Sequence, residues 1–167
     1  MSKEDIIENK SKMYIAGSYH PAVEIIPDVL ATWGAGDEGW DYMEDRYTLI
    51  QEKRLEISGM KWPVVDCRDM IDGSGNPLWL YEKKINLATY KIKYYGRVMI
   101  CCLAGISRSN SIAAGVLMKW KGMDYIDAIG EIQDKVPFAD MDQAHLNALK
   151  KLFPSEFPFN YGGPKNV

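Results

Sequence analysis

Val98 to Leu103 is an unbroken apolar run, Val-Met-Ile-Cys-Cys-Leu, and it ends on Ala104-Gly105. A run this short and continuous reads as a strand covered on both faces. Ile112, Ala113, Val116, Leu117 and Trp120 follow at helical spacing, so a helix starts soon after the strand and ends near Gly122. Strand, turn and amphipathic helix in succession point to an α/β fold: a single domain with a central, mainly parallel sheet flanked by helices. The 167 residues suit one core.

Other segments fit the same plan. Lys12 to Ala16 reads as a short strand, and Trp62 to Cys67 as a buried one. Val23 to Leu30 is interrupted by Pro27 and reads as irregular, with a strand emerging from Val29 to Trp33. Tyr42 to Ile57 has the composition of a solvated helix. Asn76-Pro77 predicts a helix start, with Asn76 as cap, and Leu78, Tyr81, Ile85, Ala88 and Ile92 form its apolar face up to Gly96. Asp124 and Asp140 predict two further helix caps, the second paired with Gln143 in a capping-box pattern. Leu146, Leu149 and Phe153 carry the last apolar face. The expected organisation is a polar segment 1–12, a catalytic-type domain 13–153 and a Pro/Gly-rich tail 154–167.

Composition excludes several classes. The formal net charge is -3, which disfavours a nucleic-acid-binding polycation but leaves room for a local anion site. No apolar run approaches the ~20 residues of a membrane span, and Met1 to Lys12 lacks the apolar centre of a signal peptide. Cys67, Cys101 and Cys102 are odd in number and lack metal-site spacing, so neither a disulfide framework nor a zinc site is expected. A reducing, cytoplasmic setting fits these thiols. Gly34 to Gly39 formally matches G-x-G-x-x-G, but its flanks are wrong for a dinucleotide unit and it reads as a loop. Asp69 to Gly75 lacks the spacing and closing Glu of a calcium loop. His20 and His145 read as surface or capping residues without a role.

The chemistry concentrates in Cys102-Leu103-Ala104-Gly105-Ile106-Ser107-Arg108-Ser109. A turn between a strand and a helix N-terminus gathers backbone N–H groups around one point, and Gly105 permits the shape. Leu103 to Arg108 should therefore cradle a phosphate. The same donors favour a thiolate at Cys102, which is a nucleophile toward phosphorus. Arg108 offers a planar fork for two phosphate oxygens. The Ser109 hydroxyl can stabilise the sulfur when it leaves.

This segment resembles the cysteine-dependent phosphatases, whose signature is Cys-x5-Arg. The fuller run is similar to the dual-specificity group, with agreement extending from about residue 62 to 150 and a weaker likeness at Tyr14 to Ser18. The resemblance implies a phosphocysteine intermediate, no metal or other cofactor, and a phosphorylated protein as substrate. It also implies a general-acid Asp on the loop before the helix that precedes the nucleophile. Asp66 lies within a predicted strand. Asp72, six residues ahead of Leu78, fits that family pattern best, and Asp69 is the alternative. One departure stands out: Cys101 occupies the place where the family has His, a residue that orients the loop. The resemblance leaves three readings: a protein phosphatase for Tyr and also Ser/Thr; a phosphatase for RNA 5′ ends, lipids or small molecules; and a phosphatase-like module that binds phosphorylated partners. Cys67 is expected to be a buried, inert thiol rather than a partner that traps Cys102 under oxidation.

Overall fold

The structure is a computed structural model that describes residues 12–15, 17–37 and 44–154. Of the segment 1–12 it describes only Lys12, and of the tail 154–167 only Pro154. Ala16 and residues 38–43, with them the end of the glycine-rich loop and the start expected for the helix from Tyr42, also lie outside the described residues. The strands are β1 (Lys12–Met13), β2 (His20–Ile26), β3 (Leu30–Gly34), β4 (Val64–Asp66) and β5 (Val98–Cys102). The helices are α1 (Glu44–Ile57), α2 (Leu78–Tyr95), α3 (Arg108–Trp120), α4 (Tyr125–Lys135) and α5 (Gln143–Leu152).

The sheet order is β1-β2-β3-β5-β4. β5 lies between β3 and β4 and runs parallel to both, while β1 and β2 add an antiparallel edge. The central position of β5 explains its continuous apolar sequence, since all five of its residues are buried. Its side chains alternate between two cores. Val98, Ile100 and Cys102 join α2 to α5 on one face, whereas Met99 and Cys101 join Trp33, Leu55 and Trp62 on the other. Cys101 and Cys102 thus point to opposite sides of the sheet.

Several local expectations are corrected. Val23 to Ile26 is not irregular but part of β2; Pro27 falls in the turn between two antiparallel strands, and Pro21 sits where the pairing register shifts. Helix α1 is not wholly solvated, because Gln51, Arg54 and Leu55 are buried under the sheet. Asn76 does not cap α2. Pro77 holds the cap position, and the Asn76 amide instead bridges Ile71 N–H and C=O at 2.9 and 2.7 Å. Leu78 and Trp120 lie at the helix ends and are exposed rather than core. Asp124 caps α4 as expected, accepting from Asp127 N–H. The cap of α5 is Asp142, not Asp140, since the Asp142 carboxylate accepts from Ala144 N–H and the Asp140 N–H is engaged by Ile106. No helix among the described residues is long and apolar enough to cross a membrane.

Candidate active site

Cys102 is the last residue of β5, and Arg108 is the first of α3. The turn between them is held by its carbonyls. Cys102 and Leu103 C=O accept from Ala35 and Gly36 N–H at 2.9 and 2.8 Å. His20 Nδ1–H donates to Ala104 C=O at 2.6 Å, and Asn110 Nδ2 donates to Gly105 and Ile106 C=O at 2.9 and 3.1 Å. Asp140 N–H also reaches Ile106 C=O. Each carbonyl is drawn outward by a donor behind the loop, which leaves the inner face of the turn to the N–H groups.

The sulfur reports the same polarity. Gly105 N–H donates to Cys102 Sγ at 3.3 Å, and Ser109 Oγ lies 3.2 Å from it. Gly105 has φ +76, and a Cβ on it would sit 2.5 Å from Gly34 N. Gly34 answers in kind: a Cβ there would lie 2.1 Å from Ala104 O. The two backbones pass at a distance only glycine allows, so the sequence Gly34-Ala35-Gly36 serves the turn from behind.

Asp72 faces the same site from the segment between β4 and α2. A cavity of about 470 Å³ is lined by Cys102, Ala104, Ile106, Ser107, Arg108 and Asp72, with Asp140, Met141, Asp142 and Gln143 on its other wall. Leu103, Gly105 and Ser109 are not among the residues of this lining, and Gly105 and Ser109 are buried. The Ser107 hydroxyl accepts from Asp142 N–H at 2.9 Å, across to the other wall. The Asp72 segment is tied to Arg108, whose Nη1 donates to Arg68 and Met70 C=O at 3.2 and 2.9 Å. Arg108 Nε is 4.0 Å from Asp72 Oδ1.

The other two carboxylates are engaged elsewhere. Asp66 pairs with Arg68 at 2.7 Å in a buried bridge. Asp69 pairs with buried Lys84 at 3.0 Å, and Lys84 also donates to Asp66 C=O. Burial pushes the Cys67 thiol, and the Cys101 thiol too, well above the ordinary range.

Sequence reasoning missed His145. It is not a surface residue: its side chain is 0% exposed, with Tyr81 O–H 2.6 Å from Nδ1 and Asp72 Oδ1 3.6 Å from Nε2. His20 also proves to be built into the site, stacked on Phe138 at 4.5 Å while it holds Ala104 C=O. Neither carries a local signal, because both are brought in by elements distant in sequence.

No family model matches the chain. Among curated proteins it resembles tyrosine-protein phosphatase yvh1 of Schizosaccharomyces pombe, 22% identical over 156 residues. That match covers 93% of this chain but 44% of the relative, so the chain spans less than half of that protein's length. Among solved structures it is similar to a mouse putative dual specificity phosphatase complexed with zinc tungstate (TM-score 0.62, 16% identity, 81% of this chain and 88% of that one). A variant of human DUSP28 follows with TM-score 0.59, 17% identity and coverage of 78% and 92%. Human tyrosine phosphatase-like serine/threonine/tyrosine-interacting protein gives TM-score 0.53, 18% identity and coverage of 78% and 94%. The chain thus shares the fold of these dual-specificity and phosphatase-like structures, with Cys102 and Arg108 at the two ends of one turn between a central strand and a helix.

Proposed function

We propose that residues 13–153 form a phosphatase unit that hydrolyses phosphate monoesters on protein Tyr side chains, with Ser and Thr esters as a second class. The observation that carries this reading is the sulfur of Cys102 at the base of a turn whose carbonyls are all drawn outward. A tetrahedral oxyanion in the cavity would meet the N–H groups of Leu103 to Arg108 and one edge of the Arg108 guanidinium. Nη1 is held by the Arg68 and Met70 carbonyls. The Nε–Nη2 edge is therefore the one that offers a fork to two phosphate oxygens. The tungstate in the mouse structure is an anion of the same shape.

These positions support a two-step reaction. Cys102 thiolate attacks phosphorus; an S–P bond forms as the ester P–O bond breaks. Asp72 gives its proton to the leaving oxygen. In the second step the Asp72 carboxylate takes a proton from water, the water oxygen attacks phosphorus, and the S–P bond breaks. The departing sulfur is then stabilised by Ser109 and Gly105 N–H. Asp72 fits the acid better than Asp69, because Asp72 lines the cavity and Asp69 is held by Lys84.

The cavity walls favour protein esters over polyanions. Asp72, Asp140 and Asp142 stand around one guanidinium, and a neighbouring phosphate on RNA or a phosphoinositide would meet like charge. A second reading, a binding module with little turnover, rests on Cys101. Its side chain packs among Trp33, Val64 and Met99 on the far face of the sheet, and a structural neighbour is named phosphatase-like. Against that reading, His20 supplies an imidazole donor to the loop from another strand. Hydrolysis of 4-nitrophenyl phosphate by purified protein, inhibited by vanadate and lost in Cys102→Ser, is the expected result. Absent turnover, or equal turnover in Cys102→Ser, would overturn it.

A further inference from the structure

His145 is a costly residue where it sits. Its ring is fully buried on α5, and among the described residues its Nε2 has no hydrogen-bond partner. A buried polar atom left this way destabilises the fold, which an apolar side chain of similar size would not. The ring is nevertheless held in one orientation. Tyr81 O–H is 2.6 Å from Nδ1, and Asn76 Nδ2 is 3.4 Å from the Tyr81 oxygen. With Asn76 donating to Tyr81, the tyrosine hydroxyl proton goes to Nδ1, and the neutral ring then carries its own proton on Nε2. That N–H is 3.6 Å from Asp72 Oδ1, so an inward shift of roughly 0.6 Å by the exposed Asp72 carboxyl completes a hydrogen bond.

We propose that His145 is a positioning residue for the acid step: its Nε2–H holds Oδ1 of Asp72 so that the proton on Oδ2 faces the leaving oxygen. This rests on Asp72 being the general acid. His145 transfers no proton; its N–H stays on the ring while Asp72 gives Oδ2–H to the ester oxygen and the P–O bond breaks. Asn76, Tyr81 and His145 form a relay of fixed donors. It links the segment that bears Asp72 to α2 and α5.

The test compares phenyl phosphate, whose leaving group needs the proton, with 4-nitrophenyl phosphate, whose leaving group needs it far less. His145→Phe should lower kcat on phenyl phosphate roughly ten- to hundredfold and on 4-nitrophenyl phosphate less than about threefold. His145→Gln, which can place an amide N–H near the Nε2 position, should recover most of the loss. Added to Asp72→Asn, His145→Phe should cost nothing more. Melting temperatures are recorded for each variant. If His145→Phe does not fold, Tyr81→Phe and His145→Gln decide, since Tyr81→Phe releases the ring's tautomer and should show the same selective loss at several-fold. An equal fall on both esters, or Gln no better than Phe, would make His145 a packing residue and overturn the proposal. Asp72→Asn separates the failures. If it shows the selective loss and His145→Phe does not, only the His145 role fails. If Asp72→Asn shows none, the acid assignment itself fails and the His145 role with it.

Discussion

Cys102 Sγ takes one backbone N–H and sits beside one hydroxyl, so its replacement removes the proposed nucleophile and leaves the turn around it. Cys102→Ser should lower kcat by at least about a thousandfold while a phosphate analogue still binds. Asp72→Asn and Asp69→Asn should part company. The first is expected to cost roughly 10²–10⁴-fold in kcat on phenyl phosphate with little change in stability. The second leaves turnover near wild type and lowers stability by about 1–2 kcal/mol, because Lys84 loses a carboxylate partner. Steady-state rates and urea melts on the two variants check this. His145 adds a pH signature. Burial is the main effect and pushes the imidazole below its ordinary 6.5; Asp142 and Asp72 oppose it, and Arg108 reinforces it. The unfolded chain therefore takes up this proton before the folded one does. Stability is lost as pH falls through 6.5 and levels off below the folded value. Thermal melts between about pH 7 and 5 should show a shallower slope in His145→Gln than in wild type; equal slopes would assign the acid lability to other groups.

At the scale of elements, the turn from Cys102 to Arg108 is shaped by what backs it. β3 brings Gly34 against Ala104, and a Cβ at Gly34 would meet backbone rather than a side chain that could swing away. Gly34→Ala should cost about 2–3 kcal/mol and most of the activity, since the loop must shift to admit the methyl group. A circular-dichroism melt with a parallel activity assay tests both. His20→Phe keeps the stacking on Phe138 and removes the donor to Ala104 C=O, so kcat should fall several-fold with a smaller change in melting temperature. The Asp142 cap of α5 has a double position. It holds Ala144 N–H, while its own N–H reaches Ser107 Oγ. The helix that carries His145 is thereby registered against the loop that carries Arg108.

For the molecule as a whole, the distribution of charge around the cavity sets what can enter. The chain carries only -3 overall, yet three carboxylates stand with one guanidinium at the cavity. Doubly phosphorylated peptides with adjacent phosphates should be poorer substrates than singly phosphorylated ones. Asp140→Asn should narrow that gap several-fold at low salt and less at high salt, measured as kcat/KM at two ionic strengths.

The sequence alone determined the centre of the fold and the place of the turn from Cys102 to Arg108. Both are local: a strand buried on two faces must be continuously apolar, and a glycine turn before a helix must gather N–H groups. The places of Cys102 at the end of β5 and of Arg108 and Ser109 at the start of α3 were legible for that reason, as were the course of β5 and the α2 face from Tyr81 to Ile92. The strand before Pro27 was not legible, because its pairing with β1 and β3 outweighs a proline placed in the adjoining turn. Asp142 took the cap expected at Asp140 because Ile106 C=O had already claimed the Asp140 N–H. Only the tertiary structure decided between Asp72 and Asp69 as the residue at the cavity, since that depends on where Lys84 and Arg108 reach. Only the tertiary structure brought His20 and His145 to the turn of Cys102 and to Asp72. A lone histidine has no periodicity to betray it, and its role depends on atoms that arrive from distant segments. The apolar run ending at Cys102 thus set where the proposed site lies, and packing chose which side chains stand around it.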